Sequence, residues 1–354
     1  MKSWYLFTLS KPDEYTGEDI DYVKSIFEKW FYWPRCFNDG WNLIIPNVFE
    51  LFWIKEEDNI YFFINRKIYW IWKVIKNTDS VIQKDLEWNY GFHFDENFDN
   101  KFLFSWIDMD ELLSSDNNSY SMIRSLDWVS FIKLDIEENL RLRWFIYNKS
   151  EVKTLNLSNR LETESVLWKD LVNDNYYDTN NRITNEKVIE TWFLNMFINY
   201  EEQFSSYFWD LDYLSSQIPA SPQKPVRYMD KMDLFWYKLV KNHILTKSKY
   251  IIIELKKGLL KKDDIYQLLK YVDYVSKNYC WWDYWMIDAY LVWASYIQSR
   301  ERKERELLEL LSHENNSRHY VLWRELEPTT WSGSSMKILN YKFNWDELIV
   351  NNVN

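Results

Sequence analysis

Apolar and polar positions divide this chain into short runs with sharp polar breaks, and the runs predict a strand-rich first part and a strand-and-helix second part. Ser3–Leu9 (SWYLFTL) reads as a strand, and Gly17–Trp30 has helical spacing at Ile20, Val23, Ile26 and Phe27. After a short apolar run over Trp41–Ile45, two β-type runs, Ile60–Ile64 and Ile68–Ile75, flank the polar segment Asn65-Arg66-Lys67, which predicts an antiparallel pair. The aromatic stretch WNYGFHFDE and the polar stretch Ser114–Ser119 are expected to bracket a further strand and a short helix, and Leu140–Tyr147 to supply a last strand. From Asn148 to Asn185 the chain turns polar and Asn-rich, which predicts a connector carrying one short helix, Glu162–Leu171. Two domains follow, residues 1–150 and 185–354, joined by residues 151–184.

In the second domain, Tyr250–Leu255 is a β-branched and apolar run that reads as a buried strand, and Asp264–Lys277 has helical period with a stripe of Ile265, Leu268, Leu269, Val272 and Val275. Side chains alternate along a strand, so Glu254 and Lys256 project together to the side opposite Ile251, Ile253 and Leu255. Asp233 sits inside a second apolar run, Met229–Trp236. Charges placed in buried strands are costly unless they have a partner or a use, most simply a metal and a phosphate. Gln267 and Tyr271 lie four apart on one face of the predicted helix, and Glu186 and Glu190 do the same on a helix before Asp233. Ile287–Tyr296 is expected as the next core strand, Gln298–Leu311 as a charged helix and Tyr320–Trp323 as another strand, ahead of a tail with Trp331.

The 354 residues suffice for two cores, and 19% aromatic content with 22 Trp marks a well-filled globular protein, so most single aromatics are core. No apolar run is long enough to span a bilayer, and Met1–Lys11 lacks signal-peptide features, so no membrane partner and a cytoplasmic location are expected. Cys36 and Cys280 lie in different expected domains and near no ligand-spaced His, so neither a disulfide framework nor a zinc site is suggested. A net charge of −11 argues against whole-surface nucleic-acid binding, but Lys224–Lys270 carries a net +7, a candidate phosphate-tracking surface.

Asp233 on one strand, Glu254-Leu255-Lys256 on the next, Gln267 and Tyr271 on the following helix and Glu190 on an earlier one resemble the PD-(D/E)xK nuclease superfamily, and within it the archaeal single-strand-specific and mismatch endonucleases. The resemblance covers about Asn185 to Leu322. In place of that family's Gly-Arg-type approach to the Asp, this chain has Asp230-Lys231-Met232. The resemblance implies a mixed sheet flanked by helices, with Mg²⁺, or Mn²⁺ in its place, held by Asp233, Glu254 and the Leu255 carbonyl. It further implies that Lys256 acts on the attacking water and that Glu190, with Glu186 as the second choice, supplies another carboxylate, directly or through water. Gln267 supports the site, and Tyr271, Lys257 and Lys231 contact DNA; a homodimer is compatible with it.

The opening WYLFTLSKPDEY, the pair IYFFI and IYWIWKV, and the aromatic YGFHF resemble the EVE and YTH group of PUA-like β-barrels. That resemblance implies a reader that holds a flipped or modified base between aromatic rings. Trp33 and Trp41, in loop-type sequence, are the first candidates for its pocket, with Trp88 and Tyr90 beside them. The expected fold class is therefore α/β and α+β, a PUA-like β-barrel with helices followed by a restriction-endonuclease-like mixed sheet flanked by helices. The implied activity is that of a Mg²⁺-dependent DNA endonuclease, a modification-dependent restriction enzyme. A structure-selective repair nuclease and a non-catalytic nucleic-acid-binding protein are the alternatives.

Overall fold

The computed structural model describes residues 3–9, 11, 15–28, 31–32, 51, 54–55, 57–75, 81–85, 90–94, 102–103, 106–115, 123, 131–149, 153–154, 162–167, 183, 185–198, 204, 207–208, 211–220, 230–258, 260–294, 320–321, 324–325, 336–344 and 347–352. The chain divides into two compact units, Met1–Asn175 with Phe197–Asn199, and Tyr176–Met196 with Tyr200–Asn354. Both are mixtures of sheet and helix. No helix among the described residues is long and apolar enough to cross a membrane.

In the first unit the strands are β1 (Trp4–Thr8), β2 (Phe31–Tyr32), β3 (Asn59–Ile64), β4 (Lys67–Ile75), β5 (Val81–Asp85), β6 (Tyr90–Phe94), β7 (Phe102–Leu103), β8 (Ile107–Asp108), β9 (Phe131–Lys133), β10 (Lys153–Thr154) and β11 (Thr163–Leu167). Its helices are α1 (Asp19–Glu28), α2 (Met109–Ser115) and α3 (Ile136–Lys149). The main sheet runs β11-β5-β6-β4-β3-β1-β9, with β1 parallel to β3 and the other pairs along it antiparallel. Among the described residues this path has two free ends and does not close into the expected barrel. The β3–β4 hairpin turns at Asn65 and Arg66, both with positive φ (48° and 61°), the geometry of a two-residue turn whose twist suits a hairpin. Phe7 packs against Phe62, Phe92, Phe131 and Tyr32 at the centre of the core.

Two expectations for this unit are corrected. Leu140–Tyr147 is not a strand but lies within α3. Asp135 Oδ1 accepts the Glu137 N–H at 2.7 Å as an N-cap, Leu142 and Ile146 are buried four residues apart, and Leu140 and Trp144 face solvent. Within the expected Glu162–Leu171 helix, Thr163–Leu167 is instead edge strand β11, paired to β5. Its polar residues find partners there: Thr163 Oγ1 donates to Gln83 Oε1 at 3.1 Å and lies 2.7 Å from His93 Nε2.

The second unit contains α4 (Glu186–Ile198) and then β12 (Tyr213–Pro219), β13 (Lys231–Val240), β14 (His243–Lys256), α5 (Lys262–Tyr279), β15 (Ile287–Ala294), β16 (Tyr320–Val321), β17 (Arg324–Glu325), β18 (Met336–Asn344) and β19 (Glu347–Asn352). Its six-stranded sheet has the order β12-β13-β14-β15-β18-β19, with β14, β15 and β18 parallel and the outer pairs antiparallel. The central strand β15 is buried along its whole length, as a parallel strand covered on both faces must be. Phe235 of β13 and Tyr250 of β14 meet Tyr279 of α5, with ring centroids 5.5 Å and 5.9 Å apart, so α5 covers their face. By strand alternation Asp233, Glu254 and Lys256 lie on that same face. The other face carries Trp236 and Tyr290, both packed on Phe208, which meets Phe204, itself edge-on to Phe193 of α4. The expected Gln298–Leu311 helix and Trp331 lie outside the described residues.

Candidate active site

The site begins with register. Leu234 pairs with Ile253 and Phe235 with Ile252, so extending the antiparallel β13–β14 ladder by one residue sets Asp233 across from Glu254. There the pairing changes character, because Asp233 Oδ2 accepts the Leu255 N–H at 2.8 Å and ties its carboxylate to the backbone of the partner strand. Two residues on, Lys256 Nζ donates to Glu254 Oε1 at 2.6 Å. The shared projection of Glu254 and Lys256 thus becomes a direct ion pair at the end of β14.

Glu254 is only 2% exposed, and its second oxygen, Oε2, is buried without a hydrogen-bond partner among the described residues. Burial, and then the Asp233 charge opposite, push the Glu254 carboxyl well above the usual carboxylate range, against the pull of Lys256. Asp233 is raised as well, by burial first, although the Leu255 N–H and Lys256 draw it down. Burial on its own would lower the Lys256 amine, but Glu254 and then Asp233 carry it above its ordinary value. Lys256 is therefore an ammonium at neutral pH. It can neutralise charge and orient a ligand, but it is not a ready base.

Neighbouring elements close around this pair. From α4, Glu190 is buried and linked to Asp233 through a shared donor, the Gln217 amide, with Lys187 Nζ donating to its Oε1 at 2.8 Å. Glu186, one helical turn away, accepts the Lys257 backbone N–H at 3.2 Å. From α5, Asp264 Oδ2 accepts the Lys261 N–H at 2.7 Å as part of the helix cap, while its Oδ1 lies 4.0 Å from Lys256 Nζ. Gln267 Nε2 is 2.5 Å from Tyr271 Oη, joining the two residues expected on one face of that helix. Burial raises the Tyr271 hydroxyl pKa and the Glu254 charge adds to it, so Tyr271 is a neutral donor and acceptor beside the acids.

The structure thus brings Asp233, Glu254, Lys256 and Glu190 into one cluster, with Gln267 and Tyr271 beside it. Leu255 contributes its N–H to Asp233. Lys257 is exposed and Lys231 half-buried at the start of β13. Of the proposed base-pocket residues, Trp33, Trp41 and Trp88 lie outside the described residues, and Tyr90 is a buried residue of β6. Two site residues were missed from the sequence, Asp264 and Gln217, the latter donating from Nε2 to both Glu190 Oε2 and Asp233 Oδ1 at 3.3 Å. A signal for Gln217 does exist: Ser215, Ser216 and Gln217 break the polar-apolar alternation of their strand.

Among the described residues, no group of three or more His, Cys, Asp or Glu side chains gathers at metal-ligand spacing. No protein-family model, curated protein or solved structure matches the chain.

Proposed function

We propose that the second unit is a Mg²⁺-dependent phosphodiester hydrolase acting on DNA, built on the PD-(D/E)xK pattern. The observation that carries this reading is the unpartnered, buried Glu254 Oε2 beside a second carboxylate, with a lysine ammonium on the other oxygen. A buried acceptor without a donor is costly. The Asp233 charge raises the Glu254 pKa, and a cation bound at the two carboxylates would offset that repulsion. The donor set fits a hard divalent ion, since Mg²⁺ keeps several waters and needs only one or two carboxylates together with substrate phosphate oxygens. Asp233 and Glu254 would hold it.

Bound there, the metal supplies Lewis-acid polarisation of the phosphate and a more acidic water. The chain's own residues do the rest. The Leu255 N–H fixes the Asp233 carboxylate, and Lys256, held by Glu254 and Asp264, presents a positive charge where a phosphate oxygen gains charge. Tyr271, positioned by Gln267, offers a neutral hydroxyl to the same phosphate. Glu190 stands behind Asp233 as a further acid, and Lys231 and Lys257 add cations for the nucleic-acid backbone.

The first unit is assigned the choice of target. Its support is the sequence resemblance to EVE and YTH readers, and in this reading the whole chain is a modification-dependent restriction endonuclease with the first unit as reader. Digestion of matched duplexes carrying cytosine, methylcytosine, hydroxymethylcytosine or glucosylated bases, with and without Mg²⁺, tests both assignments. Mg²⁺-dependent cleavage confined to a modified duplex is the expected result. Cleavage of all duplexes alike removes the reader, cleavage of branched or single-stranded DNA alone leaves a structure-selective nuclease, and no cleavage of any of these substrates overturns the hydrolase.

A further inference from the structure

Within β12, the ladder to β13 pairs Ser216 with Leu234 and Ile218 with Met232, and between them Gln217 takes a left-handed backbone, φ +54°. A non-glycine residue held there inside a strand is uncommon, and such strain collects where the surroundings gain from it. Here the gain is visible. The left-handed turn delivers the Gln217 amide nitrogen to two carboxylates from different elements, Glu190 Oε2 of α4 and Asp233 Oδ1 of β13, both at 3.3 Å. A primary amide has two N–H donors, so one group can serve both acids without adding charge.

We infer that Gln217 is a positioning residue for the acidic cluster, clamping Asp233 and Glu190 so that Asp233 faces Glu254 with its carboxylate plane fixed. With Gln217 on Oδ1 and the Leu255 N–H on Oδ2, each Asp233 oxygen has one donor and keeps a second lone pair. Glu190 is held in the same way, between Lys187 on Oε1 and Gln217 on Oε2. Asp233 is then held against swinging to relieve its repulsion from Glu254, so the pair keeps its affinity for a cation. Partners of this kind orient ligands without touching the metal, and their loss weakens metal binding by about 10–100-fold. The role rests on the hydrolase reading given above.

Glycine separates the amide from the backbone, because it adopts positive φ freely and carries no donor. In calorimetric titration of the full-length protein with Mn²⁺, the folded Gln217→Gly variant is expected to bind about 10–100-fold more weakly than wild type. The Mg²⁺ concentration for half-maximal cleavage should rise in parallel. Gln217→Asn, which also tolerates the left-handed region but is one methylene shorter, is expected to weaken Mn²⁺ binding too and serves if the glycine variant does not fold. A purely structural role would lower the unfolding temperature and leave Mn²⁺ affinity unchanged. Folded glycine or asparagine variants that bind Mn²⁺ within twofold of wild type overturn the inference while the hydrolase stands. A wild-type chain that binds no Mn²⁺ overturns the hydrolase, and this role with it.

Discussion

Asp233 does two jobs that can be separated by substitution. As a charge it opposes Glu254, and as an acceptor it satisfies the Leu255 N–H at 2.8 Å in the middle of a buried sheet. Asp233→Asn and Asp233→Ala both remove the charge, and both relieve the same repulsion. Only alanine also leaves the Leu255 N–H without an acceptor, while asparagine retains an oxygen there at the expense of the longer 3.3 Å bond from Gln217. A buried donor left unpaired costs about 1–3 kcal/mol, so alanine should be less stable than asparagine by that amount. For a unit of this size that corresponds to roughly 2–4 °C of unfolding temperature per kcal/mol. Urea unfolding followed by Trp fluorescence should show a lower midpoint for alanine with an unchanged slope. Exchange of the Leu255 amide should quicken in step. Equal midpoints for the two variants would refute the reasoning, since the Asp233–Leu255 bond would then contribute nothing beyond the charge.

Glu254→Gln should raise the unfolding temperature in metal-free buffer. Burial and Asp233 hold the Glu254 pKa well above its unfolded value, so the folded state binds the proton more tightly and stability falls as pH rises above the ordinary glutamate range. The same variant should lose the Mg²⁺-dependent stabilisation expected of wild type, about 2.7 kcal/mol at a hundredfold excess over Kd, and a retained thermal shift would place the metal elsewhere. Cys280, with its thiol pushed up to about 12 by burial, should stay unlabelled by a thiol reagent at pH 8 in a Cys36→Ala background until the chain is denatured. Limited proteolysis should cut first between Leu167 and Glu186, because an earlier cut would strip β11 from the sheet; a first cut inside 163–167 would contradict that pairing.

How far the sequence could be read depended on whether a residue's role was local. The strand around Ile251–Leu255 was legible because its apolar run is long, and the meeting of Glu254 with Lys256 follows from strand period alone. The hairpin at Asn65 and Arg66 was equally plain, a polar pair between two β-branched runs. α3 was misread because the Trp144-Phe145-Ile146-Tyr147 run has strand composition, while the deciding features, the Asp135 cap and the Leu142–Ile146 spacing, stand outside or across it. β11 was misread for the opposite reason: TESVL is a polar edge strand whose partners, Gln83 and Lys84, are distant in sequence. The polar run at Ser215–Gln217 marks Gln217 as unusual, but its role depends on the positions of both Glu190 and Asp233, since it bridges elements that only the fold brings together.

The central claim, that Asp233, Glu254 and Lys256 form a hydrolytic site, is tested most directly by comparing purified wild type with Lys256→Ala on the duplex that wild type cuts best. The variant should bind Mg²⁺ and DNA with near wild-type affinity and show no cleavage, because its ammonium acts on the reacting phosphate and water rather than as a metal ligand. Cleavage by Lys256→Ala at the wild-type rate, with the protein purified to exclude contaminating nuclease, would contradict the claim.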